Sequence, residues 1–197
     1  MSSAPFESAP KGLPDLNELS PAQLAEIAAN CLSRLEVGRQ PLPLFTQLAR
    51  HAVISTVEFA PIHDKHSELG VIMTQRPDDD PWWPRQWHIP GSVLLPTDSM
   101  ATPHDYSGPM ERVFKSEFRD SITPLGSPTL FDIKRRSGPR GHELTAQTWI
   151  ETRVHTRLPS DTRVFSISDL SEADPSLFIQ GHGLTAQQAI DHYTSQP

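Results

Sequence analysis

With one cysteine among 197 residues, Cys31, the chain can form no internal disulfide. Cys31 falls on the apolar stripe of a predicted helix, where a buried, inert thiol is expected. Long hydrophobic runs are missing too: no segment approaches the uninterrupted apolar length that spans a bilayer. The N-terminus lacks a basic stretch followed by an apolar one, so a cytoplasmic protein without a membrane partner is expected. Basic residues are in deficit, with 17 Lys and Arg against 24 Asp and Glu and a formal charge of -7. That balance opposes nonspecific attraction to a nucleic-acid backbone, which needs a basic face. A short phosphorylated ligand needs less, a local patch or a divalent cation.

What is present suffices for one sizeable core with an N-terminal extension. Residues 1–19, rich in Ser, Pro and Ala, bury too little apolar surface to offset the entropy of ordering them and are expected as a mobile tail. Residues 20–51 read as a helical extension. Ser20-Pro21-Ala22-Gln23 supplies an N-cap, a proline at the first helical position and a capping-box partner, and Leu24, Ile27, Ala28, Cys31 and Leu35 recur at helical spacing up to a stop at Gly38. Leu44, Phe45 and Leu48 predict a second short helix.

Residues 52–197 form the expected main domain. β-Branched runs predict strands over 52–60 and 69–75, and a third over 86–95 interrupted at Pro90-Gly91. Residues 63–66, His-Asp-Lys-His, read as a hydrated loop between the first two. A helix from Ser107 or Gly108 to about Ser121 carries Met110, Val113, Phe114, Phe118 and Ile122 on one stripe, with Glu117 at its edge. Further strands are expected over 129–135, 144–155 and 163–168. A closing helix over 185–193 has Thr185 as its cap and Gln188 at the capping-box position. Gly141-His142-Glu143-Leu144-Thr145-Ala146-Gln147 nearly repeats as Gly181-His182-Gly183-Leu184-Thr185-Ala186-Gln187. The flanks do not continue the match, so the likeness reads as chance and not as a repeat architecture.

The segment from Trp87 to Arg119 carries the chemistry. Trp87-His88-Ile89-Pro90-Gly91 ends a strand in a Pro-Gly turn, and a carboxylate-bearing helix with Glu111, Arg112 and Glu117 follows. Cleaving a phosphoanhydride requires neutralisation of developing negative charge, an in-line water and a proton acceptor, and a hard divalent cation does most of the first task. Magnesium takes oxygen ligands, and one or two carboxylates with a carbonyl can suffice beside its waters. A helix glutamate facing a Pro-Gly carbonyl is a reasonable way to build that site.

This order of elements resembles the Nudix hydrolase family, whose members cleave nucleoside diphosphates linked to another group. The resemblance runs loosely from Val53 to Tyr193 and implies an α+β sandwich, a mixed β-sheet flanked by helices. Gly91-Ser92 matches the glycine-rich turn with serine in place of a glycine, and Asp98 matches an acidic residue of the signature. Arg112 matches its arginine. Val113 and Ser116 replace two of its glutamates, Glu117 keeps a third, and Arg119 stands where a glycine normally ends the helix. The helix is most similar to that of the GDP-mannose hydrolase branch, which also lacks several glutamates. The resemblance implies magnesium, or manganese in its place, held by Glu117 and the Gly91 carbonyl, with Arg112 orienting Glu117. It implies a nucleotide or nucleotide-sugar substrate and leaves a homodimer open.

Other roles stay open at this point. His88, His104, His142 and Glu143 are candidates for the base, and each also reads as an ordinary surface polar residue. Trp82 and Trp83 could stack a base or sugar, Arg85 could hold a phosphate and His88 could border the ligand, or the indoles could simply cap the core. Two functions follow: a divalent-cation-dependent hydrolase of a nucleoside diphosphate derivative, or a catalytically inactive module of the same fold that binds a nucleotide-like ligand or a protein partner.

Overall fold

The computed structural model describes residues 18–35, 41–65, 68–98, 102, 105–139 and 141–196. Most of the expected tail, residues 1–17, and the candidate base His104 lie outside them. The chain divides into two compact units, Met1–Val37 and Gly38–Pro197.

The first unit contains α1 (Pro21–Leu32), which starts as the sequence dictates. Ser20 Oγ accepts the Gln23 amide at 3.3 Å, and Gln23 Oε1 accepts the Ser20 amide at 3.0 Å. This reciprocal pairing satisfies two of the donors that a helix start leaves open. No residue of α1 is buried, and Cys31 is exposed where a buried thiol was expected.

The second unit holds α2 (Leu42–His51), which the sequence reading grouped with α1, and everything after it. Its strands are β1 (Val53–Lys65), β2 (Glu68–Gln75), β3 (Trp87–His88), β4 (Gly91–Val93), β5 (Ile122–Pro124), β6 (Thr129–Gly138), β7 (Gly141–Val154) and β8 (Thr162–Ser166). They make one mixed eight-stranded sheet in which β1 runs parallel to β7 and antiparallel to β2 and β4. β1 extends through His63-Asp64-Lys65, which were expected as loop, because Ile62 to Lys65 pair with Val71 to Glu68 of β2. Pro61 falls between the last β4 partner, Glu58, and the first β2 partner, Ile62. A proline inside a strand is tolerated where no ladder N–H is needed, and this handover is such a place.

Alternation sorts the sheet into two faces. Val57, Phe59, Ile72, Ala146 and Ile150 meet Met110, Val113, Phe114 and Phe118 of α3 (Ser107–Phe118). Ala60, Ile62, Val71, Met73 and Phe165 meet Leu170 of α4 (Ile167–Glu172) and Ala186, Ala189 and Ile190 of α5 (His182–Thr194). The sheet is therefore covered on both sides by helices. No helix among the described residues is long and apolar enough to cross a membrane.

Two elements begin differently from expectation. α4 replaces the end of the strand predicted to Ser168, because Ser166 caps it in a capping box with Asp169. α5 starts at His182 and not at Thr185; Gly181 is its N-cap at φ 83°, a conformation that glycine reaches without a Cβ penalty. Thr185 is then left inside the helix, buried, with a role described below. α3 ends on two non-glycine residues in the left-handed region, Arg119 at φ 48° and Asp120 at φ 64°. Such a residue costs about 1–2 kcal/mol. Arg119→Gly is therefore expected to raise stability by about 1 kcal/mol in a urea melt, and an unchanged or lowered midpoint would contradict that account.

Candidate ligand cavity

A cavity of about 400 Å³ opens where β1, β4, the β6–β7 hairpin and the start of α5 meet. Its wall includes Thr56 and Glu58 of β1, Trp83, His88, Gly91 to Val93, Arg135 to Gly138, Glu143, and Gln180 to His182. Of the residues proposed from sequence, Trp83, His88, Gly91 and Glu143 are on this wall. Trp82, Arg85, Arg112 and Glu117 are not.

At the centre of the wall stands Glu58, a residue that the sequence reading passed over. It is almost fully buried, and burial pushes its carboxyl above the usual 4.5, against the pull of the Arg136 guanidinium and the Gln147 amide. Arg136 Nη1 donates to Glu58 Oε1, and Gln147 Nε2 donates to Oε2 at 3.2 Å. Thr185 Oγ1 accepts from Arg136 Nη2 at 3.2 Å and from Gln147 Nε2 at 3.0 Å, which explains why this threonine sits inside α5 and does not cap it. His182 completes the cluster. Its Nδ1 accepts the Ile89 amide at 3.1 Å, and its Nε2 lies 3.1 Å from Arg136 Nη1 and 3.5 Å from Glu58 Oε1. Through that one ring, α5 holds the segment that leads into the Pro90-Gly91 turn.

The near-repeated heptapeptides both reach this place. Gly141 and Glu143 from one and Gly181 and His182 from the other line the cavity, and Gln147 and Thr185, outside that lining, are bonded to each other. In the sequence the visible mark of this place was Glu58, a lone carboxylate between Val57 and Phe59 in a strand otherwise built for burial.

Gly91 is fixed by sterics. A Cβ there would lie 2.7 Å from the Val57 carbonyl oxygen and 3.1 Å from Glu58 Cγ. Phe59 donates its amide to Pro90 O and Leu94 donates to Ser55 O, so by antiparallel alternation the Glu58–Gly91 pair is a non-hydrogen-bonded one. The Gly91 carbonyl thus has no ladder partner on β1. α3 is clamped to this turn by Arg112, whose Nη1 donates to Ser92 Oγ at 2.5 Å and whose Nη2 donates to Val93 O at 3.2 Å and to both Asp98 oxygens at 2.9 and 2.8 Å. The arginine therefore ties helix to turn. No bond from it to Glu117 is among these.

Glu117 is mostly buried, and burial raises its carboxyl above the usual 4.5, partly offset by Arg76 and by a hydrogen bond with Thr74. Thr74 is in turn bonded to His88 Nε2 at 3.0 Å. Of the two groups expected to hold a cation, Gly91 lines the cavity and Glu117 is not part of its lining. Among the described residues no three His, Cys, Asp or Glu side chains converge as metal ligands.

The tryptophan loop divides. Asp80 Oδ1 accepts the amides of Trp82 at 3.0 Å and Trp83 at 2.8 Å, which turns the chain so that only the second indole meets the cavity. Arg85 pairs with Asp78 at 3.5 Å, both side chains well exposed, outside the cavity lining. His142 is exposed and bonded to Ser137 at 2.8 Å.

No family model matches the sequence, and no curated protein matches it. Solved structures do match the fold. A possible asymmetric diadenosine tetraphosphate hydrolase from Jonesia denitrificans is similar at TM-score 0.56 and 11% identity, over 74% of this chain and 98% of that one. The Ap4A hydrolase of C. elegans is similar at TM-score 0.52 and 9% identity, over 73% and 100%. A MutT protein from Methanosarcina mazei is similar at TM-score 0.52 and 11% identity, over 73% and 96%. At such identities the likeness is one of architecture: a mixed sheet between helices, which is the Nudix fold.

Proposed function

We propose that the cavity binds a nucleoside diphosphate derivative, a nucleotide or nucleotide sugar. The observation that carries this reading is the make-up of its wall. A half-buried indole, Trp83, offers a stacking face, while Arg76 and Arg135 offer guanidinium groups and Glu58 and Glu143 offer acceptors for sugar hydroxyls. A volume of about 400 Å³ suits a ligand of that size. The fold is shared with proteins described as diadenosine tetraphosphate hydrolases, which supports a phosphoanhydride-bearing ligand. The likeness of α3 to the GDP-mannose hydrolase branch makes a sugar nucleotide a sensible first probe.

Recognition without turnover is the reading favoured by the replacement of two signature glutamates by Val113 and Ser116. Divalent-cation-dependent hydrolysis is the second reading, and the Gly91 carbonyl, which has no ladder partner on β1, favours it. Titration calorimetry with ADP, ADP-ribose, UDP-glucose and GDP-mannose, in EDTA and in magnesium, separates them. Saturable binding in EDTA is expected for at least one ligand, with Trp83→Ala weakening it roughly ten-fold, about 1.4 kcal/mol. Release of a nucleoside phosphate only with magnesium would establish the hydrolase. No saturable binding in either buffer would sink both.

A further inference from the structure

We propose that Arg136 is the group in the cavity wall that takes a phosphate of the ligand, and that Thr185 and Gln147, outside the cavity lining, are positioning residues that hold its guanidinium for that purpose. This inference rests on the ligand class proposed above and names the anchor within it.

Four side chains close a ring of hydrogen bonds. Glu58 of β1 and Gln147 of β7 are direct partners across parallel strands, and Arg136 of β6 and Thr185 of α5 complete the circuit. Arg136 Nη1 donates to Glu58 Oε1, and Nη2 donates to Thr185 Oγ1 at 3.2 Å. Gln147 Nε2 donates to the same two residues, to Glu58 Oε2 at 3.2 Å and to Thr185 Oγ1 at 3.0 Å, which uses both of its hydrogens. One amide thus pins both acceptors of the guanidinium from behind. Gln147 and Thr185 are at 0% and 1% exposure, so bulk water does not compete for these bonds.

The bonds to Glu58 and Thr185 leave donors over. Nε takes part in neither of them, and Nη2 keeps a second hydrogen. Nε–H and that Nη2–H lie side by side on the planar group and form a fork suited to two oxygens of a phosphate. Arg136 lines the cavity with 21% of its side chain exposed, which puts the fork within reach of a ligand there. Glu58 meets an incoming anion only through oxygens that each already accept a hydrogen bond. Arg135, the neighbour of Arg136 on the wall, is exposed, and on binding it would have to give up side-chain freedom that Arg136 has already lost.

Nitrogen-15 NMR of the full chain, reading the Arg136 guanidinium, tests the hold without any ligand. In the wild type and in Thr185→Ser the group is expected to rotate slowly enough to show separate Nη1 and Nη2 signals. Thr185→Val, which keeps the shape of the side chain and removes the acceptor, is expected to merge them. Inorganic pyrophosphate, added at constant ionic strength, is expected to shift the Arg136 Nε signal. In calorimetry Thr185→Val should weaken ADP binding about five-fold, and Arg136→Lys, which keeps the charge and loses the fork, roughly ten-fold. Thr185→Ser should bind ADP as the wild type does, and adenosine should be bound alike by all of them.

Unchanged Arg136 signals in Thr185→Val overturn the positioning role. An Arg136 Nε signal that ignores pyrophosphate, or an ADP affinity that survives Arg136→Lys, overturns the anchor. Should Thr185→Val not fold, Arg136→Lys and the pyrophosphate titration decide. A wild type that binds no nucleotide, but whose Arg136 signal moves with pyrophosphate, defeats the ligand reading and upholds the anchor; nucleotide binding that is indifferent to Arg136→Lys does the reverse.

Discussion

Arg136→Met is expected to destabilise the protein by about 3 kcal/mol at neutral pH. The substitution keeps the aliphatic stem and removes only the guanidinium, which leaves Glu58 buried beside a methyl group. The cost is that of an uncompensated carboxylate and not the net worth of the ion pair, so Arg136→Met with Glu58→Gln should recover most of it. The pH dependence follows in sign. The folded-state value of Glu58 is already raised by burial above 4.5, so its contribution to stability is fully present below about 4.5 and is lost as pH rises through the folded value. Loss of Arg136 removes the strongest influence that lowers that value. The deficit of the variant should accordingly grow from pH 5 to pH 8. Urea melts at the two pH values measure it, and an equal deficit at both would show that Glu58 is not the group left exposed to the change.

Phe118→Ala is expected to cost about 3–5 kcal/mol. Phe118 is completely buried at the last turn of α3; its ring meets that of Phe114 edge-on at 5.2 Å, and Phe114 meets Phe59 of β1 at 6.4 Å. These three rings seat the helix on the sheet. Arg112 and Ser92 lock its other half, so the variant should lose stability without a change in the slope of a denaturant melt. A loss under about 1 kcal/mol would mean that α3 is held by its polar clamp and not by its aromatic face.

Much of this was readable from the sequence, and the unreadable parts share a physical cause. Local signals carried the order of elements: the capping box at Ser20 and Gln23, the β-branched runs of β1 and β2, the apolar stripe of α3. The same local signals predicted the Pro-Gly turn and put Arg112 and Glu117 on the helix that follows it. Of the Glu58 cluster only Glu58 itself stood out in the sequence, because the members come from positions 58, 136, 147, 182 and 185 and meet only when β1, β6, β7 and α5 assemble. Arg85 and Trp82 lie outside the cavity lining for a related reason. Composition proposed a ligand loop, but the turn made by Asp80 decides which side chain of that loop faces inward. Thr185 showed the reverse error: its sequence context is that of a cap, and burial against Gln147 and Arg136 overrode that local preference.

The parallel pairing of β1 with β7 joins residues 89 positions apart, as in the Thr56–Thr145 contact. A central rung of that kind cannot form until most of the chain has been made, and closure of so long a segment must precede any reward from pairing. Refolding should therefore be slow for a protein of this length, with the antiparallel β1–β2 hairpin appearing early and its bare flank left open to other chains until β7 arrives.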